Sequence, residues 1–280
     1  MLKVANMIRK SAGRNIIYIM LFLLSVFMLI PLLWMLSSSF KSLDRIFTFP
    51  PTLIDSQSNM QNYVELFTKY KFYLPFLNSF YISAVFTAGS VFFCALAGYG
   101  FSKYEFRGKL LLFTIVLGSM MIPFETTMVP LYSVFKQLGW IDKHIGLIVP
   151  GLANAFGIFF MKQYTDSVSY EIIESGRIDG CKEFRIFLKL ILPIIKPALA
   201  SLAIIFFMNS WNNFLWPLII LKNPEKLTLA VALRSFEQGI RTPFNLIMAG
   251  SVISILPLML VFTVFQKQFI SGIMAGAVKG

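Results

Sequence analysis

The chain has 280 residues, of which 57% are hydrophobic and only 14% charged. A soluble domain averages about 45–50% apolar and about 25% charged, so the composition excludes an ordinary water-soluble fold and points to an integral membrane protein. The formal net charge of +12 would suggest nucleic acid in a soluble chain; here much of it lies in loops and tails, where membrane topology accounts for it, and no nucleic-acid partner is expected.

Stretches without charge run over 15–40, 72–102, 197–221 and 242–266. A helix needs about 20 apolar residues to cross a bilayer. Two less tidy stretches, one holding Glu125 and one short, complete a set of six spans. They are expected near 16–37, 76–101, 110–132, 145–163, 198–221 and 245–266. An even number puts both termini on one side. Lys3, Arg9, Lys10 and Arg14 beside the first span make that side cytoplasmic, and Lys103, Arg107 and Lys109 agree. Lys41, Arg45, Lys69 and Lys71 in the first outer loop blur the bias, as do Lys222, Lys226, Arg234 and Arg241 between the last two spans. Ser37-Ser38-Ser39 offers small residues for signal cleavage, but the apolar core before it exceeds the 7–15 residues of a secretory signal, so a retained helix is expected. Ser83, Thr87, Ser90, Cys94 and Gly98 form a small-residue stripe on the second span, and Gly250 and Ser254 repeat it on the sixth. Small residues at this spacing let backbones approach closely in lipid. Cys94 lies in an apolar span and Cys181 in a polar segment, so they do not read as a disulfide pair.

One polar segment, residues 164–196, separates the fourth and fifth spans. Ser169 can cap a short helix from about Tyr170, with Glu171 in its first turn. Gly180 can take the left-handed conformation that ends it. A second short helix is expected over 182–190, stopped by Pro193 and Pro197, with Phe184, Phe187, Leu188 and Ile191 on one face. The spacing fits a docking element for a groove on a partner. It also fits an amphipathic hairpin lying on the membrane surface.

Polar residues inside a span are functional candidates. Asn209, Asn213 and Trp216 follow i, i+4, i+7 on the fifth span, with Asn212 alongside. Amides can bind hydroxyls and an indole can stack on a sugar ring, so this face is a candidate substrate path; helix–helix hydrogen bonding is the alternative. Glu125, deep in the third span, can face a water-filled path, pair with a residue of a partner chain, or couple protons. No phosphate-binding loop is present, since Gly108-Lys109 is followed by Leu110. His144 is the only histidine, which leaves a His-based triad or metal cluster almost nothing to build on. No catalytic residue, metal or ATP site is expected in the chain itself.

The order Glu174-Ser175-Gly176, then Asp179-Gly180, then Leu192-Pro193 resembles the EAA loop of ATP-binding-cassette (ABC) importer permeases. The resemblance extends over nearly the whole chain. Asn62-Tyr63, Asn78-Ser79, Tyr99-Gly100-Phe101 with Phe106, Pro130-Leu131-Tyr132, Trp211-Asn212-Asn213-Phe214 with Trp216-Pro217, and the tail Gly276-Ala277-Val278-Lys279-Gly280 are similar to the carbohydrate-uptake branch, of the type of the maltose transporter's shorter permease. Where the family name implies Ala-Ala, this chain has Ser175-Gly176. Gly lowers helix propensity by about 1 kcal/mol relative to Ala, which predicts a less rigid first coupling helix.

The resemblance implies an all-α polytopic membrane protein, with six spans and a cytoplasmic coupling loop over about 164–196. It divides the chain into an N-terminal part (1–70), a core permease domain (71–270) and a cytoplasmic tail (271–280). Glu174 and Gly180 become signature positions. Ser175, Gly176, Arg177, Asp179, Phe184 and Pro193 belong with them to the ATPase-coupling surface, and Gly276, Lys279 and Gly280 lie near the ATPase dimer. Implied partners are a second, homologous permease, two ATPase subunits that bind ATP and Mg, an extracellular solute-binding protein, and a sugar or oligosaccharide. In this family the partner permease can hold most substrate contacts. Glycerol phosphate or another polyol is the alternative cargo, and a stand-alone secondary transporter the rival function. The implied location is a bacterial or archaeal cell membrane, with both termini cytoplasmic.

Overall fold

The structure is a computed structural model that describes the backbone of residues 2–238 and 242–277 and the side chains of residues 14–237 and 242–266. The described residues form helices and turns, with no strand among them. They fall into two compact units, residues 2–71 with 236–238 and 242–253, and residues 72–235 with 254–277.

In the first unit, α1 (Leu2–Ser38) exposes its apolar side chains from Ile16 to Leu36. Helices with all backbone groups bonded internally are what hydrocarbon tolerates, and Arg14–Ser38 is long and apolar enough to span it. The polar end of this unit is tied down by the Asn62-Tyr63 pair on α2 (Gln61–Thr68). The Asn62 amide donates to the carbonyls of Ser39 and Lys41, each at 2.8 Å, and accepts from Asn245 at 2.7 Å. The Tyr63 and Ser39 hydroxyls are 2.8 Å apart. Lys41 is only 1% exposed. Its ammonium donates to the Thr52 carbonyl and sits 4.9 Å from the centre of the Trp34 ring. Counted from sequence as an outer-loop charge, it is a buried cation held by a carbonyl and a π face.

The second unit is organised on α3 (Tyr73–Lys103). After it come α4 (Lys109–Ser119), α5 (Phe124–Gln137), the short segment Ile145–Gly151, and α6 (Ala155–Asp166). Next are α7 (Glu171–Ile178), α8 (Glu183–Ile194), α9 (Lys196–Trp211), α10 (Leu215–Ile220) and α11 (Leu229–Ser235). The last helix, α12, runs Phe244–Ala277; its residues 244–253 belong to the first unit and the rest to the second. Helices α6 and α9 pack most closely on α3. The small-residue stripe explains the first of these contacts. Ser90 donates to the Gly151 carbonyl at 3.2 Å, and the Cys94 thiol approaches the Asn154 carbonyl at 3.4 Å. A Cβ on Gly98 would stand 2.7 Å from Met161 Cβ and from the Lys162 amide nitrogen, so only glycine permits this approach. Further along the stripe, the buried hydroxyls of Ser83 and Thr87 find no partner among the described residues.

Among the described residues three helices are long and apolar enough to cross a membrane, and six spans result if each of three bent pairs counts as one. The bends are the main departure from the expected straight spans. The third span breaks by 101° between α4 and α5. Pro123 stands at the break in an extended conformation; its ring fixes φ and it supplies no N–H to continue the ladder. The fourth bends by 41° after Gly151, where the Asn154 side chain caps α6 by accepting from the Gly157 amide at 3.1 Å. The fifth was expected to run unbroken over 198–221. Instead α9 ends at Trp211, and α10 starts only at Leu215. At about 1.5 Å per residue, the 16 residues of α9 span roughly 24 Å, short of a hydrocarbon core of about 30 Å.

Candidate functional site

The polar segment folds as a helical hairpin. Helix α7 ends at Asp179, and Gly180 has φ +74°, the left-handed conformation expected of it. The Gly180 amide donates to the Arg177 carbonyl at 3.0 Å and the Cys181 amide to the Gly176 carbonyl at 2.9 Å, the paired bonds of a glycine helix stop. Ser169 lies one residue before the helix boundary. Its hydroxyl accepts from the Glu171 amide at 3.3 Å, while Tyr170 occupies the cap position.

Helix α8 departs from the expected element. It contains a π turn over Phe187–Ile191, and Pro193 does not stop it. The helical run reaches Ile194 and then turns by 82° into α9, with Pro197 in the first turn of the new helix. The face expected to hold Phe184, Phe187, Leu188 and Ile191 together is divided. Phe187 and Ile191 are fully buried in the core, whereas Phe184 and Leu188 are exposed. A π turn shifts the register by one residue relative to an α-helix, which separates side chains that a regular helix would align.

Gly176 is buried against α8. A Cβ there would lie 2.8 Å from Leu190 Cδ1 and 3.1 Å from Ile186 Cγ1. The glycine that predicted a loose helix is therefore the point of closest packing within the hairpin. Glu174, Ser175, Arg177, Asp179 and Pro193 are all exposed. So are two large apolar side chains at the tip, Phe184 at 54% and Ile178 at 87%. Ile178 was missed from sequence, because a single isoleucine among polar residues gives no periodic signal.

A polar relay ties this hairpin to the end of α3. The Arg177 guanidinium donates from Nε to Glu183 at 2.7 Å and from Nη1 to the Tyr170 hydroxyl at 3.0 Å. The other Glu183 oxygen accepts from the Tyr104 hydroxyl. The Tyr104 and Tyr99 hydroxyls are 3.3 Å apart, and the Tyr99 ring stacks on Phe187 at 5.4 Å. The hydrogen bond from Arg177, and then that from Tyr104, holds the Glu183 carboxyl below its ordinary range. Burial first, and then the bond to Glu183, pushes the Tyr104 hydroxyl well above its own. Glu183, Tyr104 and Tyr170 were also missed; Glu183 follows Gly180 at the start of α8, the position where a carboxylate suits a helix amino end.

The expected substrate-path face is not one face. Asn209 is exposed on α9, while Asn212 and Asn213 are exposed in the break that follows it. Trp216 lies beyond the break on α10 and is 3% exposed. Its indole N–H donates to the Gly146 carbonyl at 3.0 Å, and the rings of Phe124 and Phe135 lie 5.6 Å away. It is a core residue, with no face left for a sugar. Glu125 is not deep in a straight span either. It sits exposed in the first turn of α5, just past the bend. Of the tail, Gly276 falls within α12, and Lys279 and Gly280 lie outside the described residues.

At the other end of the second unit, the Asn78-Ser79 pair and Asp142 pin residues 221–229. The Asn78 amide donates to the carbonyls of Glu225 at 2.8 Å and Leu227 at 3.1 Å, and Ser79 accepts from the Leu229 amide at 2.7 Å. Asp142 accepts from the amides of Lys222 and Asn223, each at 3.0 Å, and pairs with Lys226 at 3.1 Å. Those backbone bonds, more than the lysine, hold its carboxyl down to about 2.

Residues 90–274 match the family described as the binding-protein-dependent transport system inner membrane component. The chain belongs to that family. It is 36% identical over 273 residues to the arabinooligosaccharides transport system permease protein of Bacillus subtilis, covering 96% of this chain and 97% of that protein. It is 32% identical to the lactose transport system permease protein of Rhizobium radiobacter, covering 94% and 95%. The trehalose/maltose transport system permease protein of Thermococcus litoralis is 31% identical, covering 92% and 94%. A crystal structure of a bacterial ABC transporter involved in the import of the acidic polysaccharide alginate contains a chain of the same fold, with a TM-score of 0.82 at 24% identity, covering 92% of this chain and 98% of that one. The family and the apolar helices make the chain a multi-pass membrane permease.

Proposed function

We propose that this permease imports a sugar or oligosaccharide as half of a heterodimeric pathway, driven by ATP through the α7–α8 hairpin. The sugar assignment draws on relatives whose names specify arabinooligosaccharides, lactose and trehalose/maltose. The observation that carries the coupling role is the hairpin's exposed tip. Glu174, Ile178, Asp179 and Phe184 project outward, while Ile173, Ile186, Phe187 and Ile191 anchor the same helices in the core. Large apolar side chains presented on a helical hairpin that is anchored in the core suit a groove on a partner.

In this reading two ATPase subunits bind ATP and Mg; this chain binds neither. Closure of the ATPase dimer displaces the hairpin, and the hairpin carries α3 with it through Arg177, Glu183 and Tyr104. The hairpin end and both termini are cytoplasmic. An extracellular solute-binding protein docks at the opposite end, where Asp142 and Asn78 hold residues 221–229 in one conformation. Asn209, Asn212 and Asn213 remain candidates for hydroxyl contacts along the path, and Glu125 is a candidate for facing it.

Reconstitution separates this reading from a stand-alone ion-driven transporter. Sugar uptake into vesicles should require the second permease, the ATPase, the binding protein and ATP together. Uptake by this chain alone, driven by an ion gradient, would overturn the proposal.

A further inference from the structure

Beside the hairpin, but separate from its tip, lies a pocket of about 530 Å³ between the start of α4 and α6. Its apolar lining residues are Phe106, Leu110 and Phe113. Its charged lining residues are Glu105, Lys109 and Lys162. These lysine side chains are only 21% and 19% exposed, so their stems are packed. The Lys162 ammonium sits 5.2 Å from the centre of the Phe113 ring.

We propose that this pocket binds the headgroup phosphate of an anionic phospholipid between Lys109 and Lys162, with the lipid chains running down over Leu110 and Phe113. Three observations carry it. First, the pocket lies where the hydrocarbon-facing surface begins, since Leu110 and Leu111 directly below Lys109 are 79% and 66% exposed. Second, the lining brings together two lysines, Lys109 and Lys162, with one carboxylate, Glu105. Basic pockets between spans at a membrane edge suit lipid headgroups. Third, the existing pairs leave capacity. Lys109 meets Glu105, in the loop before α4, at 2.7 Å, and Lys162 meets Asp166, one turn on in α6, at 2.8 Å. Each ammonium has three donors, and Glu105 is 89% exposed, so a phosphate can join or replace these partners. A soluble phosphate would leave the apolar lining uncovered, which is why the occupant is a lipid.

The test is native mass spectrometry on the delipidated full chain in detergent. It would be titrated with phosphatidylglycerol, with phosphatidylcholine of the same acyl chains, and with free glycerol phosphate as a competitor. Phosphatidylglycerol should bind at least fivefold more tightly than phosphatidylcholine. Lys109→Gln with Lys162→Gln should remove that preference, Lys109→Arg with Lys162→Arg should keep it, and Lys136→Gln, at the far end of α5, should not change it. If the paired glutamine variant fails to fold, the two single glutamine variants carry the same test, each expected to weaken phosphatidylglycerol by about threefold. Equal binding of the two lipids, an undiminished preference in the glutamine variants, or displacement by equimolar glycerol phosphate would overturn the proposal.

Discussion

Gly176 shows how a residue can mean one thing to a helix and another to a fold. By propensity it weakens α7; in the structure it lets α7 close on Ile186 and Leu190. Gly176→Val should cost about 1–3 kcal/mol by overpacking and lower the thermal unfolding midpoint of the purified protein, whereas Gly176→Ala, which has to displace the end of Leu190 and press on Ile186, should lower it less. Gly180 was legible, because a glycine just past a helical segment has few other uses. Gly176 was not, because the side chains that need the space belong to the next helix. Glu183 was overlooked for a related reason: its partners Arg177 and Tyr104 come from separate elements. Its carboxyl is held below its ordinary value of 4.5 in the folded chain, so it stabilises fully above pH 4.5 and loses that contribution as the pH falls through the lowered value. The stability gap between wild type and Glu183→Gln should be present at pH 7 and close in acid below pH 4.5. For so exposed a pair it should not exceed about 1 kcal/mol, read from unfolding midpoints across the pH series.

At the scale of elements, stretches free of charge located the apolar segments, and the bends rearranged what lies on them. Periodicity assumes a continuous helix, so the i, i+4, i+7 pattern from Asn209 to Trp216 lost its meaning once α9 ended at Trp211. The same break buries Trp216 and leaves Asn213 exposed. The two positions should therefore respond differently. Trp216→Ala should cost about 3–5 kcal/mol as a large-to-small core change and appear as lost folded protein. Asn213→Ala should leave the unfolding midpoint alone and raise the half-saturation constant for uptake. An unchanged uptake constant for Asn213→Ala would remove that asparagine from the path. Pro123 could have signalled the 101° break in the third span, since proline ends a helical ladder. Pro217 marks the break at 212–214 in the same way, having no N–H for the Asn213 carbonyl four residues back, and Trp211 and Trp216 are drawn into packing on either side of it, Trp211 toward the Ser254 carbonyl at 3.1 Å and Trp216 toward that of Gly146 at 3.0 Å.

For the whole molecule, composition established a membrane protein, and the family match established a permease of binding-protein-dependent transport. The motifs that carried the resemblance have structural work that sequence did not reveal. Asn62 ties down the polar end of the first unit, Asn78 and Ser79 hold residues 221–229, and Tyr99 stacks beneath the hairpin. The central claim is that the hairpin tip joins a separate motor. It is tested most directly by the double variant Glu174→Ala with Ile178→Asp, two exposed positions where substitution should leave the fold intact. Co-purification of the ATPase subunit with the transporter, measured beside ATP-driven sugar uptake in vesicles, gives the answer. Loss of ATPase association by at least tenfold together with loss of uptake, at an unchanged unfolding midpoint, is the expected result; an ATPase that stays bound and drives uptake at the wild-type rate would contradict the account.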